Sequence, residues 1–229
     1  MKHIFLSFGF ILVFSSVIFA KPIRFYQGGK CGYKNSKGEV ILEPIFDAGS
    51  EYLNGYAIVI KNAHRGYIDT MGHIAIPLMY EDASFFNDGI AKVKLNGKYG
   101  FIDLNNSIII GFSFDEADDF REGYAVVKCN NKCGFINLKG DYAIPLEYTN
   151  ANGFSEGLAS IRNENNEWGY IDYSGNLVIK FQYKNANSFL NGLSTVATKK
   201  DFYLINKKGK KLKKLPNLNN MEEMEAHEK

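Results

Sequence analysis

The stretch NEWGYIDYSGNLVI, Asn166 to Ile179, holds the chain's one tryptophan, Trp168, beside Gly169, with Tyr170, Asp172, Tyr173 and Gly175 close behind. Taken alone it looks like a ligand site. Outward along the chain it becomes one of a series: Cys31-Gly32-Tyr33, Arg65-Gly66-Tyr67, Tyr99-Gly100-Phe101, Cys133-Gly134-Phe135 and Trp168-Gly169-Tyr170, with Phe202-Tyr203-Leu204 as a degraded sixth. Successive members lie 34, 34, 34, 35 and 34 residues apart. A second series keeps the same period: Tyr52 to Gly55, Phe86 to Gly89, Phe120 to Gly123, Phe154 to Gly157 and Phe189 to Gly192 each read aromatic-x-x-Gly. Two series in register over five copies define a tandem repeat, which must be recognised before any single copy is interpreted.

Each unit reads as a small piece of sheet. After the aromatic-x-x-Gly comes a run such as Tyr124-Ala125-Val126-Val127, a polar turn, a second run Gly134-Phe135-Ile136-Asn137, a Gly turn, and a third run Tyr142-Ala143-Ile144. Short alternating runs joined by tight turns predict a three-stranded antiparallel meander. Ile68, Ile102, Ile136, Ile171 and Ile205 share one position of the middle strand, so they form a core row by the two-residue period. Burying one such side chain contributes about 1.5–3 kcal/mol, too little for a lone 34-residue meander, so neighbouring units must stack. The connectors FDAGSEY, YEDASFF, FDEADDF, YTNANGF and YKNANSF place Gly49, Ala83, Ala117, Ala151 or Ala186 between two aromatics, as expected where one unit packs closely on the next.

The pattern aromatic-Gly-(Phe/Tyr)-Ile-Asp-x-x-Gly, followed by an aliphatic strand ending near Pro and by Phe-x-x-Gly-Leu-Ala, resembles the WG repeat of bacterial proteins. The resemblance covers nearly all of residues 22–212, with Glu167 to Ile179 the best copy. Cys31, Arg65 and Cys133 replace the aromatic that names the repeat, and Gly111 and Lys180 stand where Pro44, Pro77 and Pro145 sit elsewhere. The resemblance implies an all-β repeat array, often in exported bacterial proteins, with binding presumed and activity largely unassigned. Lys34 at the isoleucine position of the first copy, and Tyr203 and Asn206 in the last, are the polar substitutions expected of terminal caps. The expected fold is therefore all-β, with 34-residue meanders stacked as an open array or superhelix over residues 21–214; the alternative is a closed propeller-like ring.

The flanks differ from the repeats. Residues 1–20, MKHIFLSFGFILVFSSVIFA, have a short basic start, an apolar run and a small residue at Ala20, the features of a secretory signal peptide; an uncleaved anchor is the rival reading. Residues 215–229 form a polar tail expected to be disordered. The run from Lys207 to Lys214 reads as a solvated terminal strand, with binding to an anionic envelope polymer or headgroup as the alternative. The formal net charge is +2 with both signs scattered, which argues against a nucleic-acid surface.

Cys129 and Cys133 flank the proposed turn Asn130-Asn131-Lys132, which predicts a disulfide across the hairpin; two thiols or a Cys31 pairing are the alternatives. No spacing matches a zinc site, and no metal or other cofactor is implied. Asp69, Asp103 and Asp172 recur at one slot, but Asn35, Asn137 and Asn206 also fill it, so they read as turn-formers and not as a hydrolytic carboxylate pair. No catalytic residue is assigned. Asn105, in Asp103-Leu104-Asn105-Asn106-Ser107, fits a glycosylation acceptor, against the simpler reading that Asn106 replaces a turn glycine. The expected role is a non-catalytic, exported interaction module in the bacterial envelope, periplasmic or secreted. Its partner would be another envelope protein or cell-wall glycan, read by residues that vary between copies: Arg121, Arg162, Tyr173, Lys180 and the turn Asn163 to Glu167. The alternative is a carbohydrate-binding or carbohydrate-processing envelope protein.

Overall fold

The computed structural model describes residues 21–216, all of them in strands, turns or irregular segments. The signal segment expected at 1–20 and residues 217–229 of the expected tail lie outside the described residues; Leu215 still belongs to the last strand. Six antiparallel sheets follow one another along the chain. Sheet four is representative, with an inner strand Glu116–Ala117, a second strand Tyr124–Cys129, a third Lys132–Asn137 and an outer strand Tyr142–Tyr148, paired in that order. Sheets two, three, five and six repeat this plan over residues 48–80, 82–114, 150–183 and 185–215, and sheet one has three strands over 23–46.

The meander expected from sequence thus gains a fourth strand. The small residue of each connector, such as Ala117, pairs across to Val127 and makes a two-residue strand of a segment expected only to pack closely between units. A 34-residue unit can be four-stranded because that inner strand is so short. Four-stranded sheets in radial succession are the blades of a propeller-like architecture. The array is open: among the described residues the extensive contacts between sheets run between sequence neighbours.

The repeat glycine explains how each sheet is built. The third strand bulges against the outer strand, with Cys133 opposite Tyr148 but Phe135 opposite Ile144. At the bulge a Cβ on Gly134 would lie 2.6 Å from the Ile144 carbonyl oxygen and 2.7 Å from that of Pro145. Gly169 meets the Ile179 carbonyl at the same 2.6 Å. Backbone lies against backbone there, and no side chain fits. Proline is tolerated at residue 145 because a bulged edge strand does not need its N–H.

Five hydrophobic clusters correspond to the five junctions between sheets. The isoleucine row faces the preceding sheet: Ile68, Ile102, Ile136 and Ile205 are fully buried and Ile171 is 1% exposed. The ring after the repeat glycine faces the following sheet, where it meets the aromatic of the next aromatic-x-x-Gly. Ring centroids lie 5.2 Å apart for Tyr33 and Tyr52, 4.7 Å for Tyr67 and Phe86, and 4.9 Å for Phe101 and Phe120, Phe135 and Phe154, and Tyr170 and Phe189. The two sequence series are therefore two halves of one contact. Where that ring is tyrosine, its hydroxyl donates to a carbonyl 17 residues on: Tyr33 to Ser50, Tyr67 to Ser84 and Tyr170 to Asn187.

Candidate functional site

The strands run so that the array has two unlike ends. The back end carries the hairpin turns between second and third strands, the front end the aromatic-x-x-Gly turns and the Asx-Gly turns. Back-end turns are polar and tied by ion pairs, Lys30 with Asp47, Lys98 with Asp115, and Lys132 with Glu164. The front end adds to its polar turns a repeated apolar position. The residue opening each outer strand is Val40, Ile74, Ile108, Tyr142 or Leu177, exposed by 50, 54, 61, 50 and 45% respectively. Front turns add Leu53, Met71, Leu138 and Leu190. Among the described residues, only Tyr26, Ile45 and Met79 of the large exposed apolar side chains lie toward the back. Single exposed apolar residues are ordinary, but one register position repeated over five sheets forms a continuous row.

Front turns are fixed by side chains reaching forward one sheet. Asn54 Nδ2 donates to the Phe86 carbonyl at 2.9 Å, and Ser155 Oγ to that of Phe189 at 2.6 Å. Glu122 accepts from the N–H of Glu156 at 2.7 Å, from that of Gly157 at 3.0 Å and from the Tyr173 hydroxyl at 2.8 Å. Burial works to raise the Glu122 carboxyl, but the bonds from Gly157, Tyr173 and Glu156 outweigh it and hold it below the usual range. Tyr173 stacks on Tyr124 at 5.3 Å and packs on Phe154 at 4.8 Å, leaving 40% of its surface exposed. Burial, and then its bond to Glu122, raises its hydroxyl pKa.

Of the residues singled out from sequence, Arg121 and Tyr173 both lie at the front end, in neighbouring sheets. Arg121 lies along Gly153 of the next sheet, beside the Phe154 and Tyr173 cluster at the front. Arg162 is at the back, its guanidinium over the Trp168 ring at 5.8 Å and its Nε donating to Thr149 Oγ1 at 3.2 Å. The turn at Asn163 to Glu167 is also at the back, closed by the Glu167 N–H on Asn163 Oδ1 at 2.9 Å. Lys180 is exposed on an outer strand, away from both. The front apolar row was missed because the sequence shows alternation without showing which residues of an outer strand lack a covering layer.

The expected Cys129–Cys133 disulfide is contradicted: all three cysteines are free thiols. Register gives the reason. Lys128 pairs with Cys133 and Cys129 with Lys132, so the two sulfurs leave opposite faces of sheet four. Burial pushes the Cys31 and Cys133 thiols above their ordinary pKa. The recurring Asx residues bond to their own turns. Asp69, Asp103, Asp172, Asn35, Asn137 and Asn206 each accept from the N–H two and four residues on, for instance 2.8 Å to both Asn105 and Ser107 at Asp103. Asn105 is exposed at this turn, and Asn106 takes φ 63° where Gly72, Gly140 and Gly175 take 86°, 85° and 80°. Among the described residues no three His, Cys, Asp or Glu side chains are grouped to hold a metal.

One cross-strand triad in each of sheets two to five changes its chemistry from copy to copy. It joins the first inner-strand residue, its neighbour on the second strand and the residue before the repeat glycine. The triads are Ala48, Ile60 and Arg65 in sheet two; Asp82, Lys94 and Tyr99 in sheet three; Glu116, Lys128 and Cys133 in sheet four; Asn150, Arg162 and Trp168 in sheet five. In sheet three Lys94 Nζ stands 5.2 Å from the Tyr99 centroid and the Tyr99 hydroxyl donates to Asp82 at 3.0 Å. Sheet two instead has Arg65 beside Asp82 and on the Glu81 carbonyl.

Comparison with known proteins agrees with this architecture. The family described as WG containing repeat matches five times in tandem, at residues 32–63, 66–99, 99–133, 134–166 and 168–200. No curated protein matches the chain. Among solved structures, that of a eukaryotic initiation factor is similar with a TM-score of 0.59 at 9% identity, over 87% of this chain and 63% of that one. The computationally designed Ika8 protein is similar with a TM-score of 0.50 at 10% identity, over 87% and 75%. At such identities the likeness is one of fold alone.

Proposed function

The chain belongs to the WG-repeat family, and from that premise we propose that it is a binding module whose working surface is the front end of the array. The observation that carries this is the row of exposed apolar side chains, Val40, Ile74, Ile108, Tyr142 and Leu177, at one register position in five consecutive sheets. A charged back end offers no comparable surface. Repeat arrays recognise partners with side chains that the fold itself does not use, and these five meet that condition. The signal-like residues 1–20 support an exported protein, and the partner class that fits is another envelope protein presenting an apolar face. Two measurements test this. The mature protein from its native cell should begin at Lys21, and a chain retaining Met1 in the cytoplasm would remove export. Photo-crosslinking residues at Ile108 or Tyr142 should capture one discrete protein, whereas the same probe at His64 or Asn131, at the back, should not. Equal capture from both ends, or retention on peptidoglycan in place of a protein adduct, would overturn the reading.

A further inference from the structure

A cavity of about 160 Å³ lies between sheets four and five, lined by Glu116, Asp118, Val127, Lys128, Cys133 and Asn150. Its floor is buried, Cys133 being 4% exposed and Val127 fully covered, while Glu116, Asp118 and Asn150 form an open mouth at the inner edge. Its place in the repeat explains it. The position of Cys133 is filled by Arg65 in sheet two, Tyr99 in sheet three and Trp168 in sheet five, each far larger. In those sheets the space beside the inner strand is occupied by the chain's own side chain. In sheet four a thiol stands at the bottom of the same space.

The other two members of the sheet-four triad are retained. Glu116 and Lys128 reproduce the carboxylate and ammonium of Asp82 and Lys94, and are bonded to each other at 2.9 Å. In sheet three that pair holds a phenol ring, with Lys94 over its face and Asp82 on its hydroxyl. A cavity of about 150 Å³ holds a benzene ring, so the size also fits. The ammonium would face the negative face of an aromatic ring, the contact that Lys94 makes with Tyr99. We propose that the cavity between sheets four and five binds a phenol, either a tyrosyl side chain presented by a protein partner or a small free phenol, with the ring on Cys133 beside Lys128 and the hydroxyl on Glu116. This site is separate from the front surface, and either can fail without the other.

The test uses the whole chain and reads the alkylation rate of each thiol by mass spectrometry. p-Cresol and N-acetyl-tyrosine amide are the probes, and toluene and N-acetyl-phenylalanine amide the controls. Millimolar p-cresol should slow modification of Cys133 at least threefold and leave Cys129, on the opposite face of the sheet, unchanged. Protection by N-acetyl-tyrosine amide as well identifies a presented side chain; protection by p-cresol alone identifies a small phenol. Equal protection by phenols and controls, or none by either phenol, overturns the proposal. Cys133→Tyr, which copies sheet three, should fold and lose p-cresol binding at least tenfold by calorimetry. Should it misfold, Glu116→Gln serves instead and should abolish the preference of p-cresol over toluene, and an unchanged preference would refute the assigned geometry.

Discussion

Gly134→Ala and Gly111→Ala form a matched pair that isolates why the repeat carries its glycine. A Cβ at residue 134 meets three backbone atoms of the outer strand, the Ile144 oxygen at 2.6 Å and the oxygen and carbon of Pro145 at 2.7 and 2.8 Å. Backbone cannot rotate away as a side-chain tip can, so the third and outer strands must separate at the bulge. Overpacking of this kind costs about 1–3 kcal/mol, occasionally more. Against it stands the reduced entropy of an unfolded alanine, which returns about 0.4–1 kcal/mol. The net expectation is a loss of about 1–2 kcal/mol. Gly111, in the outer strand of sheet three, has no atom within 4 Å of the added Cβ, so Gly111→Ala keeps only the entropic gain of about 0.4–1 kcal/mol. At about 2–4 °C per kcal/mol for a domain of this size, Gly134→Ala should lower Tm by about 2–8 °C and Gly111→Ala raise it by about 1–4 °C. Circular dichroism melts supply Tm, and urea midpoints with an unchanged slope confirm that stability alone has moved. Shifts of the same sign for both variants, or a Gly134→Ala melt within 1 °C of the parent, would refute the steric account.

Three further outcomes follow from particular contacts. Tyr67→Phe removes a hydroxyl donated at 2.7 Å to the Ser84 carbonyl and should cost about 1 kcal/mol in urea denaturation, the usual net value of a buried hydrogen bond. Burial holds the hydroxyls of Tyr33, Tyr52 and Tyr67 protonated beyond the ordinary tyrosine range and pushes Tyr170 up to about 12. Because the unfolded chain loses these protons near pH 10 while the folded chain keeps them, stability is complete below about pH 10 and falls as pH rises through about 12. Spectrophotometric titration should show tyrosinate appearing together with loss of the sheet signal, and full ionisation of a still-folded protein would contradict this. Finally, native-state alkylation should reach half-buried Cys129 well before buried Cys31 and Cys133, with intact mass showing three thiols; a mass two units lower would restore the disulfide.

How much was legible depended on whether a feature is carried by the period or by the register. The period exposed the array, the isoleucine core and the glycine turns, because each is one residue type at one spacing. Ala117 was recognised as a close-packing residue, yet that it pairs with Val127 as a strand was hidden, since two residues have no alternation to read. The disulfide expectation failed on a single residue of register: closeness along a hairpin says nothing about face, and Cys133 opposite Lys128 puts Cys129 on the other side. The triads and the front row were hidden for the same reason, as each joins residues from different strands or depends on what covers them.

The residue before the repeat glycine varies between copies while its neighbours are held by specific contacts. Gly169 is fixed by the Ile179 carbonyl, Tyr170 by Phe189 of the next sheet and by Ser194, and Ile171 by the preceding sheet. Trp168 is buried in the cluster between sheets five and six with Arg162 over its ring; at the same position Arg65 and Tyr99 find different local partners and Cys133 leaves a cavity. That position holds Cys, Arg, Tyr, Trp or Phe on the same sheet plan, so its chemistry differs from copy to copy. The tryptophan that draws attention is thus a filled instance of a slot, and the slot is most informative in sheet four, where the chain retains the carboxylate and the ammonium but does not supply the ring.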